Sequence, residues 1–321
     1  MSKKNIILGL FFIFLISITY IYQGPFKNYQ KKVKKNYNFL SELDIKEIDK
    51  IDIIRNAEID EEKKFISLTK EENGNWRVGD QGKFYVEEKV KDELLSEFEN
   101  IINDKEIELI SNNKEKKVDF NTDSKSGIGL KIYENNKESV SFVVGKLIYN
   151  YSGTYISQDD INETYIFDTR LKNVVSRAEW RDPTILNMEK ENIEKMRFQY
   201  PEEEFFVEKE VIENGSSTEF TWKIASLNNL KVKKEKIESI LDILTDLSAI
   251  KIPEQKFENT GLDKNLIIIQ VIGDNIDSTI TIGDADESGE LFFIKRADND
   301  NIYLISKGER DELNIRTKDL K

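Results

Sequence analysis

The 321-residue sequence contains no cysteine and no histidine. Without cysteine the chain cannot form a disulfide, a thiolate metal site or a thiol nucleophile, and it cannot carry the lipid-modified cysteine that anchors bacterial lipoproteins. Without histidine it lacks the commonest general base near neutral pH and the commonest metal ligand. These two absences leave few routes to catalysis and count against an enzyme.

Nucleotide and nucleic-acid binding also lack support. No G-x-S-x-G, G-x-G-x-x-G or P-loop motif occurs in the chain. Residues 1–35 contain seven lysines and no acid, and removing those charges from the net −13 leaves −20 on residues 36–321. Because phosphate binding needs clustered Lys and Arg, so acidic a body disfavours nucleic acid. We expect no nucleic-acid partner.

An almost unbroken apolar run, IILGLFFIFLISITYIY, extends from Ile6 to Tyr22 behind two lysines. At ~1.5 Å per residue a helix of this length covers most of the hydrocarbon layer of a bilayer. No small-residue cleavage site follows, which favours an uncleaved signal-anchor over a cleaved signal peptide. A buried core helix is a poorer explanation, because nothing polar interrupts the run. We predict a transmembrane helix in residues 1–25, contacting lipid through residues 6–22, and a basic juxtamembrane linker over residues 26–42.

The orientation of this span rests on two opposing arguments. Five lysines follow it, at positions 27, 31, 32, 34 and 35, against two before it, so a positive-inside count places the body in the cytoplasm. Short lysine-tipped N-termini usually stay inside, however, and long domains cross largely regardless of charge. We expect a single-pass protein of the cell membrane with most of the chain outside the cytoplasm.

The remainder of the sequence contains the same pattern of segments twice. The strand-like run I-D-K-I-D-I at Ile48–Ile53 returns as I-E-K-M-R-F at Ile193–Phe198, and a tryptophan follows each, at Trp76 and Trp222. Apolar residues at helical spacing come next in each copy. They are Val90, Leu94, Phe98, Ile101 and Ile102 in the first copy, and Ile237, Leu241, Leu244 and Leu247 in the second. Ordered correspondences of this kind indicate a duplication.

Four short β-rich runs end each copy. In the first they are residues 128–133, 140–144, 154–157 and 164–167, and in the second 266–272, 279–282, 291–294 and 302–305. Gly145 matches Gly283, and Tyr165 matches Tyr303, at the same spacing of 138 residues. We predict an α+β fold: an N-terminal transmembrane helix followed by two tandem modules, 43–182 and 183–321, each a mostly antiparallel sheet packed on one long helix. Each tryptophan is predicted to pack in its own module's core, rather than stack on a ligand.

The order of these parts resembles a bacterial group, domain-of-unknown-function family 4340. The residues that carry the resemblance are I-D-K-I-D-I, the G-N-W-R step at Trp76, the T-G-L-D turn of Thr260–Asp263, the I-T-I-G run ending at Gly283, and W-R-D-P-T-I-L from Trp180 to Leu186. The first copy departs from the pattern: in place of a G-L-D turn it shows S-G-I-G-L at Ser126–Leu130. The resemblance implies a membrane anchor, tandem α+β repeats, no known catalytic activity, and genes that often neighbour ABC-type transporters related to gliding-motility export.

Acidic clusters are the remaining candidates for chemistry. Asp284, Asp286, Glu287, Ser288 and Gly289 loosely resemble the start of a calcium loop, but Lys295 stands where the bidentate Glu of an EF-hand belongs. A solvated hairpin turn explains this segment better, and Asp298–Asn301 reads as another. We predict no catalytic, cofactor-binding or metal-binding residue and no cofactor.

Two classes of function follow. The first, which we favour, is a non-catalytic, membrane-anchored accessory protein outside the cytoplasm, whose partner is a membrane protein such as ABC transporter subunits. The second is a cell-envelope polymer or solute binding protein, or an envelope enzyme that uses carboxylates.

Overall fold

The computed structural model describes residues 38–55, 65–79, 84–104, 107–214, 217–225 and 230–320, together with five isolated positions near the N-terminus. Those five, Phe14, Leu15, Ser17, Thr19 and Tyr20, are helical. The rest of the predicted span over residues 6–22, and most of the predicted linker over 26–42, lie outside the described residues. Within the described set, no helix is both long and apolar enough to cross a membrane.

Two compact units make up the chain, Met1–Trp180 and Arg181–Lys321. Unit 1 contains a nine-stranded antiparallel sheet in the order β4-β3-β2-β1-β6-β7-β8-β9-β5. Its strands are β1 (Ile48–Ile54), β2 (Phe65–Lys70), β3 (Trp76–Val78), β4 (Phe84–Tyr85), β5 (Glu108–Ser111), β6 (Ile128–Glu134), β7 (Lys137–Leu147), β8 (Thr154–Gln158) and β9 (Thr164–Phe167). Its α-helices are α1 (Glu88–Asn103) and α2 (Leu171–Val175), and 3-10 helices span Ile45–Glu47 and Lys114–Phe120.

Unit 2 contains an eight-stranded antiparallel sheet in the order β14-β13-β12-β11-β16-β17-β18-β19, and a two-stranded sheet of β10 and β15. Its strands are β10 (Thr184–Asn187), β11 (Ile193–Gln199), β12 (Glu204–Asn214), β13 (Ser217–Ile224), β14 (Leu230–Lys231), β15 (Asp246–Ser248), β16 (Ile267–Gly273), β17 (Ile276–Ala285), β18 (Leu291–Arg296) and β19 (Ile302–Ser306). Its α-helices are α3 (Lys234–Thr245) and α4 (Lys307–Leu313), and 3-10 helices span Lys190–Asn192 and Thr317–Leu320.

The two sheets share one topology over eight strands. Each runs from a short edge strand, β4 or β14, through two antiparallel strands to a central strand, β1 or β11, and continues through four later strands, β6–β9 or β16–β19. The units differ in the strand after that helix: β5 joins the edge of the large sheet beside β9, whereas β15 pairs with β10. The chain is therefore a tandem repeat in structure as well as in sequence.

The predicted fold class is wrong in its central feature. Sheets dominate both units, and neither sheet is simply packed on one long helix: α1 has 16 residues and α3 has 12, and each unit adds a second, shorter helix. The physical reason is one of width. Strands lie ~4.8 Å apart, so eight of them extend ~34 Å, whereas a helix is only ~10 Å across. One helix cannot cover such a sheet.

The cores follow the predicted apolar positions closely. Val90, Leu94, Phe98 and Ile101 are buried along α1, and Trp76 and Trp222 are 6% and 7% exposed, which confirms the core placement of both tryptophans. Leu247 is buried but lies in β15 rather than in the predicted helix, because α3 ends at Thr245. The predicted β-rich runs all coincide with strands β6–β9 and β16–β19.

Candidate interaction surface

The turn between β7 and β8 in unit 1 presents two tyrosines to solvent. Tyr149 is 100% exposed and Tyr151 is 70% exposed. The turn is closed by backbone hydrogen bonds, since the amide of Ile148 donates to the carbonyl of Gly153 at 2.9 Å and the amide of Tyr151 donates to the carbonyl of Ile148 at 2.9 Å. These bonds order the backbone that carries the two rings, and we call this segment the tyrosine turn (residues 148–153).

Tyr151 holds a backbone conformation that suits glycine better. Its φ is +60°, in the left-handed region, where a large L side chain is uncommon and strained. The equivalent residue of unit 2 is Gly289, with φ +74°, since Leu147 pairs with Thr154 in one hairpin as Ala285 pairs with Phe292 in the other. Unit 1 therefore keeps a strained, exposed tyrosine where its repeat has glycine, and stability does not explain that choice.

Replacing Tyr151 by glycine is expected to raise the free energy of unfolding. The left-handed conformation costs an L residue ~1–2 kcal/mol, and glycine relieves this strain. The larger conformational entropy that glycine loses on folding offsets part of the relief, which leaves a net gain in stability of about 0.5–1 kcal/mol. Urea denaturation followed by circular dichroism measures the change. Tyr149→Gly is the matched control, because Tyr149 is exposed and has no positive φ; it should give no gain.

A polar cleft of about 510 Å³ adjoins the tyrosine turn. Ser152 of the turn forms part of its lining, opposite residues from the C-terminal half of α1 and from the segment after β9. Glu97 organises it: one carboxylate oxygen accepts hydrogen bonds from the hydroxyl of Thr169 at 2.6 Å and from the amide of Arg170 at 2.8 Å. On the other side, the carboxylate of Asp104 accepts from the amide of Asp168 at 3.1 Å.

The cleft offers hydrogen-bonding groups and negative charge, but no reactive constellation. Within the described part of the chain, the side chains of Asn100, Asn103 and Asp168 line it without a hydrogen bond or ion pair of their own. Three carboxylates and one arginine give it a net negative charge. The sequence did not single out these residues, because they come from three separate segments and none belongs to a recognisable motif.

The calcium-like segment of unit 2 is a hairpin turn. Residues 286–290 connect β17 to β18, and the carboxylate of Asp286 accepts hydrogen bonds from the Ser288 hydroxyl at 2.6 Å and the Leu291 amide at 3.3 Å. The bond from Ser288 is the main cause that lowers the pKa of the Asp286 carboxyl below its ordinary value. Asp284 forms an ion pair with Lys264 instead. In the described residues no cluster of three or more acids could hold a metal.

Two segments that carried the resemblance meet inside unit 2. The carbonyl of Thr260, at the start of the T-G-L-D turn, accepts a hydrogen bond from the amide of Asp284 at 2.8 Å. A side chain on Gly283 would come within 2.2 Å of that carbonyl oxygen. The turn therefore lies directly on strand β17, at a point where only glycine fits.

Unit 1 has a similar close approach between a turn and the matching glycine, although its sequence hides it. A Cβ on Gly145 would lie 2.3 Å from the carbonyl oxygen of Phe120 and 2.7 Å from Cγ2 of Thr122. Asn121 has φ +56°, as Asn259 has +61° in unit 2. At the spacing of 138 residues the counterpart of the T-G-L-D turn is thus Thr122–Lys125, not the S-G-I-G-L segment. The signal that finds it is the pair Asn-Thr, which recurs at positions 121–122 and 259–260 at the spacing of 138 that relates Gly145 to Gly283.

A smaller pocket of about 320 Å³ in unit 2 contains two arginines. Arg316 stacks on the ring of Tyr200 at 3.6 Å, and Arg310 lies over Phe292 at 4.7 Å. Arg310 pairs with Asp311 at 2.7 Å, and Arg316 lies 3.8 Å from Glu203. Because acids of the same unit already balance both cations, the pocket is a poor site for an anion.

Tyr200 is expected to make the stability of unit 2 sensitive to alkali. Burial raises the pKa of its phenol well above the ordinary value, and the hydroxyl donates to the carbonyl of Leu313 at 3.2 Å and accepts from the amide of Ile315 at 3.1 Å. Above pH ~10 the unfolded chain therefore loses a proton that the folded chain keeps, and the free energy of unfolding falls by at most ~1.4 kcal/mol per pH unit from this group. Tyr200→Phe should be less stable at pH 8 but show a flatter decline between pH 10 and 11.5 in urea denaturation. An unchanged slope would contradict the assignment.

One buried hydroxyl–carboxylate pair could be mistaken for catalytic machinery. The hydroxyl of Ser67 donates to Asp52 at 2.7 Å, and Lys50 lies 3.2 Å from the same carboxylate. Ser67 is 2% exposed and Asp52 is 4% exposed. Because no substrate reaches a hydroxyl so deeply placed, this pair is a structural polar contact of the sheet.

A family model described as "Domain of unknown function (DUF4340)" matches residues 102–216 and 222–321. The chain belongs to this family. The two matched segments lie in tandem, and the first continues past the end of unit 1 into β12 of unit 2. Neither the comparison with curated proteins nor the comparison with solved structures gave a match.

Proposed function

We propose that this chain is a non-catalytic, membrane-tethered protein whose two repeat units work outside the cytoplasm as an accessory to a membrane protein partner. ABC-type transporter subunits are the partner class that the family resemblance implies. The observation that carries the proposal is the apolar run over residues 6–22, directly before a basic stretch and a tandem of sheet units. The exposed tyrosine turn supports it, because tyrosine rings are typical of contact surfaces.

Membrane attachment is tested with the full chain and a charged variant. Wild-type protein should stay in the membrane fraction after an alkaline carbonate wash and float with vesicles in a density gradient. Phe12→Arg with Leu15→Arg should release it, because each arginine at the centre of a span costs about 2.5–3.5 kcal/mol. Wild-type protein found in the wash supernatant would refute the tether.

Orientation and partnership need separate measurements. Protease added to spheroplasts should degrade residues 38–321. If these residues stay intact, the outside placement is wrong. Affinity capture of the full chain from detergent extracts should recover membrane protein subunits, whereas the Arg-substituted variant should recover far less. If capture recovers no membrane protein while the chain binds isolated cell wall, the alternative role in binding envelope polymer replaces this proposal.

A further inference from the structure

The tyrosine turn lies at the end of unit 1 where the chain enters from its N-terminal side. The side-chain amide of Asn38 donates to the carbonyl of Ile101 at 2.6 Å and to that of Asp104 at 3.4 Å, so residue 38 is fastened to the C-terminal end of α1. Asp104 lines the same cleft as Ser152 of the turn. The residue to which Asn38 is bonded, Asp104, and one residue of the tyrosine turn, Ser152, therefore line the same cleft.

The length of the intervening chain limits how far this end of unit 1 can be from the bilayer. On the proposed function, residues 6–22 cross the membrane, and fifteen residues, 23–37, separate them from Asn38. Fully extended, these residues reach at most ~50 Å at ~3.3–3.6 Å each. The tether therefore joins the membrane to the end of unit 1 that carries Tyr149 and Tyr151, at a distance of at most ~50 Å, while the opposite end of strand β7 is ten residues away along the strand.

The chemistry of the turn matches the boundary between headgroups and hydrocarbon. Tyrosine is enriched there because its ring is apolar and its hydroxyl hydrogen-bonds to water and headgroups. The equivalent turn of unit 2 has Glu287 and Gly289 in place of the two tyrosines. Glu97, Asp104 and Asp168 make the neighbouring cleft acidic, so electrostatic attraction to anionic lipid would not hold this end of unit 1 on a membrane. The phenol rings are the groups that could do so.

We propose that the tyrosine turn rests in the headgroup layer of the bilayer that holds residues 6–22, and that this second contact orients unit 1 on the membrane. The inference rests on the proposed function, because a chain without the tether brings neither ring to a membrane. It accounts for the strain at Tyr151, since a ring at this position gains from lipid contact what the isolated fold loses.

The absence of cysteine allows a direct test on the full chain. Tyr149→Cys and Lys137→Cys each give one labelling site, and both positions are exposed. Lys137 begins strand β7, ~34 Å from Leu147 at ~3.4 Å per residue, and is the matched control. Each variant is labelled with a nitroxide and reconstituted in phosphatidylcholine vesicles. Power-saturation electron paramagnetic resonance then compares the accessibility of the label to oxygen, which partitions into lipid, and to a water-soluble nickel chelate.

The expected result is an oxygen-to-nickel accessibility ratio several-fold higher at position 149 than at position 137. Equal, water-like ratios in protein that floats with the vesicles would overturn the lipid contact and leave the tether standing. A label at 149 shielded from both reagents would also overturn it, because protein rather than lipid would then cover the turn. Protein that does not float at all refutes the tether first, so the two failures are distinguishable.

Discussion

Gly283→Ala is expected to lower the free energy of unfolding by about 3 kcal/mol or more, at or beyond the upper end of what overpacking usually costs. The added Cβ would meet the Thr260 carbonyl oxygen at 2.2 Å, the Leu262 nitrogen at 2.9 Å and the Gly261 carbonyl carbon at 3.0 Å. All three are backbone atoms, so no side-chain rotation relieves the clash. The turn cannot retreat cheaply either, because the hydrogen bond from the Asp284 amide holds the Thr260 carbonyl.

The measurement is urea denaturation of the full chain, with Gly129→Ala as the control. Gly129 also lies in a central strand, but its added Cβ would meet the nearest atom, Cβ of Ile54, at an ordinary 3.4 Å. We expect this control to stay within about 1 kcal/mol of wild type. A Gly283→Ala protein as stable as the control would mean that the T-G-L-D turn does not lie on β17 as described.

The duplication extends this result to unit 1. Gly145→Ala would place its Cβ 2.3 Å from the Phe120 carbonyl oxygen and 2.7 Å from the Thr122 methyl group. One of these neighbours is backbone and the other is the short side chain of a residue with 0% exposure, so a similar loss is expected. A large loss at Gly283 with none at Gly145 would show that the two turns, although at matching positions, pack differently.

Sequence periodicity predicted the repeated parts of this fold better than their arrangement. The strands after each helix and the buried face of α1 follow from alternation and helical spacing, because burial acts on those same residues. The extent of the sheets was missed, since short edge strands such as Phe84–Tyr85 and Leu230–Lys231 have too few residues to show a period. The prediction therefore packed each sheet on one long helix, although a helix is too narrow to cover a sheet of eight strands.

The candidate surface was harder to predict than the fold. Tyr149 and Tyr151 flank one asparagine between two strands, and tyrosine is common in strands, so nothing in the sequence marks them as exposed. The cleft draws residues from α1, from the tyrosine turn and from the end of β9, and only tertiary packing brings these together. The positive φ of Tyr151 is a property of the backbone, and comparison with Gly289 of the other repeat is the one sequence signal that suggests it.

Trp180→Ala is expected to destabilise unit 1 by about 3–5 kcal/mol, the usual cost of removing a large aromatic side chain from a core. Trp180 is 1% exposed and belongs to the hydrophobic core of unit 1. Its carbonyl also accepts a hydrogen bond from the amide of Glu87 at 3.0 Å, immediately before α1 begins. The residue therefore fastens the end of unit 1 to the start of its long helix, and the cavity left by alanine would lie beside that junction.

Trp180→Phe separates the packing of the ring from the polarity of its N–H. Among the described residues the buried indole nitrogen has no hydrogen-bond partner, so phenylalanine removes an unsatisfied donor while it keeps much of the apolar surface. We expect a loss below about 1.5 kcal/mol in urea denaturation, far smaller than that of the alanine variant. If phenylalanine cost as much as alanine, the two-ring shape of the indole would be what this core requires.

Because the W-R-D-P-T-I-L segment also supplies the buried Ile185 and Leu186 of unit 2, one short stretch provides core side chains to both repeats. Its recurrence in the family resemblance then follows from packing rather than from chemistry.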